Sequence, residues 1–472
     1  MKLICCHLLA GLGSLSLIPF VSAYQNPGTT GPYATGVHDF EYTDTVYPSD
    51  FEFDVKAQGR RIMARAWYPV CEKSDVSTAN GNSVCQASSN VLGRLRKYLE
   101  PGEWEAFFQK GPEPTDLTDT FDLTNSYLDA PPMANGIGEF PVVIYTHGLG
   151  MWISDSTALL EEIASQGYTI FAIGSPGYSA GIIFNSTKDV VTSKDYPTVH
   201  EGKENDTGLL SFYTPPFSDD VQVRYNMMAE YLKRSDVLSF TRVQDDQLAL
   251  ADYLETPEVE KDTLLRAILA NTPGLATLIY MGFSMGGISS GSTAQRDPRA
   301  VGAINLDGFH QVSDLLGKAS RVPYLTFWGN NGIPPFYINE FHFEPLETMG
   351  DDPKITRVGF NGIQHLDFND VKFFNPMVRA QFGLNNTINA KQVHAILVGF
   401  CVGFLDTNLK KKEGWNVTDT FDKLPGAKSV NVSYVKESFA KEATKNPSSS
   451  SSMVSIGCLY LSLVTVVVLF LT

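Results

Sequence analysis

The residues best able to do chemistry surround Ser284, which stands between Gly282 and Gly286 in the stretch 275–295. An apolar run of strand length precedes this serine, and small residues in a helical pattern follow it. Glycines on both sides allow a sharp turn that presents the serine hydroxyl to a substrate. The amide groups at the start of the following helix can then stabilise negative charge on a substrate oxygen. We therefore predict that Ser284 is a nucleophile on a tight turn formed by Gly282 and Gly286.

A serine hydroxyl is a poor nucleophile unless a histidine takes its proton and a carboxylate orients that histidine. Asp307 directly follows a predicted strand over 300–306, whereas the next strand ends in 327–330 without a carboxylate. Among the eight histidines, His365 follows a predicted strand and a glycine-containing loop. We predict Asp307 as the acid and His365 as the base, with His342 as the alternative base.

Two backbone amides are predicted to bind the oxygen that becomes negative during attack on a carbonyl group. One amide belongs to Met285, directly after the nucleophile. The other belongs to Leu149, in the His-Gly-Leu-Gly run that follows a predicted strand over 142–146. His147 opens this run, and we expect its side chain to shape the loop rather than to act as the base.

Short apolar runs alternate with helical patterns along the chain, which indicates a largely parallel sheet wrapped by helices. The predicted strands span 51–55, 62–68, 142–146, 168–173, 276–281, 300–306, 323–328 and 355–359. The predicted helices span 156–165, 241–254, 263–269, 285–295 and 392–405. The chain order serine, aspartate, histidine is that of the α/β-hydrolases. We therefore predict an α/β-hydrolase fold with a mostly parallel central sheet of about eight strands flanked by helices.

The folded domain is predicted to span 24–440, with surface insertions near 71–135 and 183–219. Within the first insertion, the segment 91–111 shows the apolar spacing of two short amphipathic helices. We expect the apolar faces of these helices to pack in the protein core rather than on lipid.

Both ends of the chain carry targeting signals. Residues 1–23 have one early lysine, an apolar run and small residues at the end, as in a secretory signal peptide. A polar, serine-rich spacer over 441–452 leads into an apolar stretch over 453–472. We predict that this stretch is a glycolipid (GPI) attachment signal, with a retained membrane-spanning anchor as the alternative. Both imply an extracellular or cell-surface location and contact with a membrane through the C-terminal anchor.

Glycosylation and disulfide signals agree with secretion. Five Asn-x-Ser/Thr sequons are candidate glycosylation sites: Asn185, Asn205, Asn385, Asn416 and Asn431. Cys71 and Cys85 bracket a polar loop that a single disulfide can close. Cys401 lies in an apolar run and is predicted to be a buried free thiol. No cysteine or histidine pair has metal-ligand spacing, so we expect no metal and no cofactor.

The net charge argues against one class of partner. The chain has 36 lysine and arginine residues against 52 aspartate and glutamate residues, which gives a formal net charge of −16. Such a surface repels phosphate backbones, so we expect no nucleic-acid partner.

The site residues resemble those of the platelet-activating factor acetylhydrolase family, the secreted lipoprotein-associated phospholipase A2 branch of the α/β-hydrolases. The similarity rests on the segments 147–150, 282–287, 306–307 and 362–365. In that family the acid follows the sixth strand, at the spacing from the serine that is seen here. The resemblance implies calcium-independent hydrolysis of short or oxidised sn-2 acyl groups on phospholipids.

Two other functions remain open from the sequence. The dienelactone-hydrolase and polyester-hydrolase branch shares the fold and a small acyl pocket, which makes another short-acyl ester the alternative substrate. A surface-binding protein built on an inactivated hydrolase scaffold also fits the targeting signals. Such scaffolds usually lack one member of the triad, whereas Ser284, Asp307 and His365 are all present. We therefore predict an active serine ester hydrolase.

Overall fold

The computed structural model describes most of the chain between residues 24 and 429. Its continuous ranges are 24–47, 59–100, 123–134, 138–192, 241–308, 318–330, 354–381, 388–423 and 427–429, with isolated positions at Gly102, Glu103, Ala106, Asn226 and Leu384. The predicted strand at 51–55, the predicted signal peptide, the spacer and the C-terminal apolar stretch lie outside the described residues.

A large sheet runs through the middle of the domain. The described strands are β1 (Tyr33–Asp44), β2 (Arg60–Glu72), β3 (Val76–Ala79), β4 (Asn82–Cys85), β5 (Asn90–Gly93), β6 (Leu95–Lys97), β7 (Leu123–Leu128), β8 (Val142–Thr146), β9 (Thr169–Gly174), β10 (Gly181–Ile183), β11 (Val190–Thr192), β12 (Leu278–Phe283), β13 (Ala300–Leu306), β14 (Tyr324–Asn330), β15 (Ile355–Asn361) and β16 (Ala427–Ser429). Eleven of them form the large sheet, in the order β16-β15-β14-β13-β12-β8-β9-β2-β1-β7-β6. The strands from β15 to β9 in this order are parallel, and β16 and β2 flank them in the antiparallel direction.

Helices cover both faces of this sheet. The described helices are α1 (Thr157–Ser165), α2 (Thr241–Tyr253), α3 (Thr263–Ala270), α4 (Met285–Arg296), α5 (Pro376–Gln381), α6 (Ala390–Asn408) and α7 (Val417–Phe421), with short 3-10 helices at Lys73–Asp75, Pro257–Lys261, His365–Phe368 and Asp370–Phe373. In β8, Val143 and Tyr145 pack into the core cluster that contains α1 and α6. Val142 and Ile144 pack with α2 and α3 on the opposite face. This alternation is expected of a strand that is buried on both sides.

The predicted elements are largely present. All five predicted helices and seven of the eight predicted strands occur, with ends displaced by a few residues. The sheet has eleven strands rather than about eight, because β1, β6, β7 and β16 also join it. Polar residues such as His38 interrupt the apolar pattern of β1. Carboxylates outside β1 provide the hydrogen-bond partners of this side chain. His38 Nδ1 lies 2.7 Å from an Asp129 oxygen, and His38 Nε2 lies 2.9 Å from an Asp262 oxygen.

The prediction of helices over 91–111 is wrong for the first part of that segment. This part forms the end of β5 and all of β6. Strand β6 extends the large sheet beside β7. The pairing with β7 explains the difference, because this partner lies further along the chain and the residue spacing within the segment does not show it. The buried Arg96 guanidinium in β6 also donates to Glu103 Oε1 at 2.5 Å. Leu99 is buried, so this side chain packs in the core as expected, whereas Leu95 is half-buried.

Cys71 and Cys85 form the predicted disulfide, with Cα atoms 5.9 Å apart. It joins the end of β2 to β4. Replacing both cysteines with serine is expected to lower the free energy of unfolding by about 3 kcal/mol, because the unfolded chain regains the freedom of this loop. Urea denaturation measures the difference, and Cys401→Ala controls for losing a cysteine without losing a cross-link. A double variant as stable as the wild type contradicts the prediction.

Helix α6 is apolar over much of its length, yet it belongs to the core. Phe400, Cys401 and Leu405 are buried in the cluster that covers one face of the sheet. The predicted burial of the Cys401 thiol is confirmed, and this burial raises the pKa of the thiol. None of the helices that the structure describes is long and apolar enough to cross a membrane.

Candidate active site

Ser284 lies on the turn between β12 and α4, at the carboxyl edge of the parallel strands. Its backbone has φ 53° and ψ −118°, a combination that residues with a side chain rarely adopt. The turn is held on both sides. The Ser284 amide donates to the Leu306 carbonyl at 2.8 Å, and the Ile288 amide donates to the Ser284 carbonyl at 3.1 Å. The surrounding structure therefore fixes the serine in a strained conformation at the sheet edge.

The two glycines of this turn leave no room for a side chain. A Cβ atom on Gly286 would lie 2.0 Å from the Thr146 carbonyl oxygen, and one on Gly282 would lie 2.3 Å from the Gly286 carbonyl carbon. Both distances are far shorter than a normal contact between carbon and a backbone atom. Gly282 and Gly286 thus allow β12, α4 and the end of β8 to meet beside Ser284.

Gly286→Ala is expected to lower the free energy of unfolding by about 2 kcal/mol, because backbone atoms rather than a flexible side chain block the added methyl group. Urea denaturation measures this loss. Gly399→Ala is the matched control, since a Cβ atom there would lie 3.4 Å from the Thr420 methyl group. Alanine also favours the interior of helix α6. A Gly286→Ala protein as stable as this control contradicts the prediction.

His365 and Asp307 form a continuous hydrogen-bonded chain with the serine. Ser284 Oγ lies 2.9 Å from His365 Nε2, and His365 Nδ1 lies 2.6 Å from Asp307 Oδ2. Because an ionised carboxylate can only accept, we assign the ring proton to Nδ1, which leaves Nε2 to accept from the serine hydroxyl. The structure therefore brings the three predicted residues together in the arrangement that nucleophilic catalysis needs.

Asp307 follows β13 in a left-handed conformation with φ 57°. Its Oδ1 atom accepts from the Gly329 amide at 2.8 Å, at the end of β14. Asn305 closes the turn, because its side chain accepts from the Gly308 amide at 2.7 Å and donates to the Gly308 carbonyl at 3.0 Å. Burial raises the pKa of Asp307, and the hydrogen bonds with His365 and Gly329 oppose this rise.

His365 reaches the serine from the loop after β15, at the first position of a 3-10 helix. Its side chain is 26% exposed, whereas that of Asp307 is 6% exposed, so a substrate can reach the histidine but not the carboxylate. The imidazole packs on Phe283 with ring centroids 4.8 Å apart. The alternative base, His342, lies outside the described residues.

The loop after β8 is held in a defined orientation. The Ser175 amide donates to His147 Nε2 at 3.2 Å, so His147 Nδ1 carries the ring proton and donates to the Gly148 carbonyl at 2.7 Å. In a trans peptide the N–H points opposite to the preceding carbonyl, which turns the Leu149 amide away from His147. Burial lowers the pKa of His147 to about 4, so the neutral ring persists at neutral pH.

The two predicted oxyanion amides lie on segments in direct contact. A Cβ atom on Gly286 would lie 2.7 Å from the His147 carbonyl oxygen, so the loop after β8 packs against the first turn of α4. Within the described part of the chain, the amides of Leu149 and Met285 donate to no protein acceptor. Both are thus able to donate to a substrate oxygen.

Three supporting residues are not evident from the sequence: Asn305, Gly329 and Asp155. Asn305 is a polar residue within the buried strand β13, and an unexplained polar residue in an apolar run is a signal that can reveal such a role. Asp155 stands in the polar run 154–157, so its residue type gives no such signal, although its carboxylate accepts from the Gly148 amide at 3.2 Å. Gly329 acts through its amide, and a Cβ atom there would lie 2.3 Å from the Ile363 carbonyl oxygen, so its residue type indicates close packing but not this hydrogen bond.

Of the candidate glycosylation sites, Asn185 and Asn416 fall on described residues, and both are exposed. The Asn185 amide donates to the Asp39 carbonyl at 3.3 Å. Asn416 caps helix α7 by accepting from the Thr418 amide at 2.7 Å. The other three, Asn205, Asn385 and Asn431, lie outside the described residues.

A cavity of about 860 Å³ lies along β1, and Ser284 is not among the residues that line it. Its walls combine aromatic rings such as Tyr42 and Tyr253 with carboxylates such as Asp252 and Asp262. No histidine lies among the described residues that line this cavity, so it offers no activated serine. Across the described ranges, no group of three His, Cys, Asp or Glu side chains is arranged to hold a metal ion.

The fold of this chain is shared with a solved structure of a ferulic acid esterase from Streptomyces cinnamoneus. The two chains superpose with a TM-score of 0.60 at 16% identity, over 87% of this chain and 100% of the esterase chain. This likeness confirms the predicted α/β-hydrolase fold with its mostly parallel sheet flanked by helices. No protein-family model matches the sequence, and no curated protein sequence matches it.

Proposed function

We propose that this chain is a serine hydrolase that cleaves carboxylic esters. Ser284 is the nucleophile, His365 the general base and Asp307 the residue that stabilises the protonated histidine. The observation that carries the proposal is the chain of two hydrogen bonds, 2.9 Å from Ser284 Oγ to His365 Nε2 and 2.6 Å from His365 Nδ1 to Asp307 Oδ2. The strained serine turn adds support, because such strain concentrates at functional sites.

In the first half of the reaction, His365 Nε2 takes the hydroxyl proton while Ser284 Oγ forms a bond to the ester carbonyl carbon. The carbonyl oxygen becomes negative and accepts hydrogen bonds from the amides of Leu149 and Met285. The bond to the alcohol oxygen then breaks, and His365 gives its proton to the leaving alcohol. The acyl group remains on Ser284.

In the second half, His365 takes a proton from a water molecule, and the resulting hydroxide attacks the acyl carbon. The bond to Ser284 Oγ breaks, the serine regains its proton from His365, and the carboxylic acid leaves. Asp307 balances the positive charge of the imidazolium in both halves. Each step uses only groups of this chain, the ester and water.

The substrate we propose is a phospholipid with a short or oxidised sn-2 acyl group, as in 1-alkyl-2-acetylglycerophosphocholine. Support comes from the resemblance of the site segments to the platelet-activating factor acetylhydrolase family. A buried apolar cluster that includes Met285 and Ile288 packs next to the serine, so the surroundings of the nucleophile are apolar. The Leu149 side chain is 36% exposed on the oxyanion loop and offers a further apolar contact.

A second candidate substrate is another short-acyl carboxylic ester. The observation that favours it is the shared fold with a protein named as a ferulic acid esterase. The serine, histidine and aspartate chemistry is the same for both substrates, so the acyl and alcohol groups of the preferred ester distinguish them.

We further propose an extracellular or cell-surface location, reached through the signal peptide and kept by a GPI anchor on the C-terminal stretch. The disulfide between Cys71 and Cys85 supports this location, because such bonds persist in oxidising compartments. The exposed sequon at Asn185 supports it as well. Release of the native protein from cells by phosphatidylinositol-specific phospholipase C tests the anchor, and a retained membrane helix resists this release.

Purified protein tested on three esters decides between the substrates. The esters are an sn-2 acetyl phospholipid, its long-chain analogue and a soluble short-chain aryl ester, with Ser284→Ala as the control. We expect the acetyl phospholipid to be cleaved in preference to the long-chain analogue. Cleavage of the aryl ester alone favours the second candidate. No cleavage of any ester contradicts the proposed function and favours a surface-binding role for an inactive scaffold.

A further inference from the structure

Asp155 is a fully buried acid that the reaction scheme above does not use. It lies between β8 and α1, behind the oxyanion loop. Its Oδ2 atom accepts from the Gly148 amide at 3.2 Å. Its Oδ1 atom accepts from the Tyr145 hydroxyl at 2.7 Å and from the Ser156 hydroxyl at 3.0 Å. The two hydroxyl groups therefore fix the carboxylate that binds the loop.

The main chain of Asp155 binds the other half of the site. Its carbonyl oxygen accepts from the Asp370 amide at 2.7 Å. Asp370 opens the 3-10 helix that directly follows the one begun by His365. In return, the Asp370 carboxylate accepts from the Ala158 amide in the first turn of α1, at 3.1 Å. The start of α1 and the segment after His365 are thus joined by bonds in both directions.

We infer that Asp155 is a positioning residue that sets the oxyanion loop in register with the turn that carries His365. Both polar backbone groups of Gly148 are then held, the amide by Asp155 and the carbonyl by His147. The peptide that carries the Leu149 N–H cannot rotate without breaking a buried hydrogen bond. The inference rests on the proposed function, because an oxyanion loop has this task only if Ser284 attacks a carbonyl.

The surroundings of Asp155 favour a positioning role over a purely stabilising one. Burial raises the pKa of this carboxyl to about 7, and the hydrogen bonds from Tyr145, Gly148 and Ser156 oppose the rise. The other ionisable groups that face it are Tyr98, Asp370 and Lys372. A buried acid is costly, and an apolar residue of similar size often stabilises a core better. Only an acceptor at this position holds the Gly148 amide.

Two substitutions separate the acceptor from the charge. Asp155→Ala removes the acceptor. Asp155→Asn keeps an oxygen that can accept from the Gly148 amide. The new N–H groups of the asparagine can donate to the hydroxyl oxygens of Tyr145 and Ser156. For a soluble aryl ester, we expect Asp155→Ala to lower kcat by about 100-fold with little change in KM, since small displacements of transition-state donors have effects of this size. We expect Asp155→Asn to recover kcat to within about tenfold of the wild type.

A boronic acid tests the oxyanion loop without turnover, because its tetrahedral adduct on Ser284 places an oxygen where the oxyanion forms. We expect the inhibition constant of phenylboronic acid to rise about 100-fold in Asp155→Ala. Glu161→Ala is the matched control. Glu161 is also fully buried on α1, but it binds the Asn125 amide instead of Gly148. We expect this control to lose stability while keeping the wild-type kcat and boronate affinity.

Tyr145→Phe is a milder variant that removes only a hydroxyl that orients Asp155, and we expect about tenfold lower kcat and weaker boronate binding. If Asp155→Ala keeps the wild-type kcat and boronate affinity, the inference is wrong. If Asp155→Ala does not fold, Tyr145→Phe decides, and wild-type kcat and boronate affinity in that variant overturn the inference. If Glu161→Ala loses as much kcat and boronate affinity as Asp155→Ala, the inference is also wrong, because the losses then come from general destabilisation of the core. A wild-type protein that neither cleaves the ester nor binds the boronate contradicts the proposed function itself.

Discussion

Ser284→Ala is expected to lower kcat by about 10⁶, leaving only the rate that substrate binding and the oxyanion donors supply. The loss is this large because Ser284 Oγ forms the covalent bond to the acyl group and lies 2.9 Å from the base, His365 Nε2. Alanine is as strained as serine at φ 53°, so the free energy of unfolding should stay within about 1 kcal/mol of the wild-type value. Ester turnover and urea denaturation measure the two effects.

Ser289→Ala is the matched control for this experiment. Ser289 lies one turn further along α4, is fully buried and donates its hydroxyl to the Met285 carbonyl at 3.0 Å. Ser289→Ala loses the same atom as Ser284→Ala without touching the reacting group, so its kcat should equal that of the wild type. A Ser284→Ala protein that keeps more than about 1% of the wild-type kcat contradicts the assignment of the nucleophile.

Asp307→Asn is expected to lower kcat by about 10⁴. The Gly329 amide donates to Oδ1 of Asp307, so it binds the oxygen of the asparagine amide and turns the N–H₂ group toward His365. That group can only donate, which forces His365 Nδ1 to accept and moves the ring proton to Nε2. The proton then faces Ser284, and the histidine cannot take the serine proton. Steady-state kinetics on a soluble ester measure the loss.

Asp297→Asn provides the comparison for Asp307→Asn. Asp297 is also buried and accepts from the Tyr280 hydroxyl at 2.5 Å and from Arg299 Nε at 2.9 Å. It precedes the amino end of β13, whereas Asp307 follows the carboxyl end, so the length of the strand separates it from the catalytic turn. The variant should therefore lose stability and keep kcat. If Asp307→Asn retains a kcat within about tenfold of the wild type, the tautomer argument is wrong.

The nucleophile and its two partners were predictable because local sequence determines them. Gly282 and Gly286 must be glycine for steric reasons, and this requirement is visible as a pattern around Ser284. The parallel strands then bring their carboxyl ends to one edge, so a residue that follows a strand can be assigned to that edge without knowing any contact. This rule places Asp307 and His365 beside Ser284.

The supporting contacts were not predictable, because they join residues distant in sequence through backbone groups. The Asp307 carboxylate depends on the Gly329 amide, and residue types do not show which backbone amide binds a given carboxylate. The strand Tyr33–Asp44 was not predicted, because its polar side chains also depend on contacts with residues distant in sequence. Its polar side chains are satisfied by partners such as Asp262, which is remote in the sequence. Apolar periodicity detects burial but does not detect buried polar pairs.

Covalent labelling by a fluorophosphonate shows whether Ser284 is an activated nucleophile. The reagent forms a phosphorus–oxygen bond with an activated serine and releases fluoride, while the hydroxyl proton passes to the histidine. Mass spectrometry of the digested protein locates the added mass. We expect one adduct, on the peptide that contains Ser284, with labelling lost in Ser284→Ala and strongly slowed in Asp307→Asn. Absence of labelling of the folded wild-type protein, or an adduct on another residue, contradicts the assignment of the nucleophile.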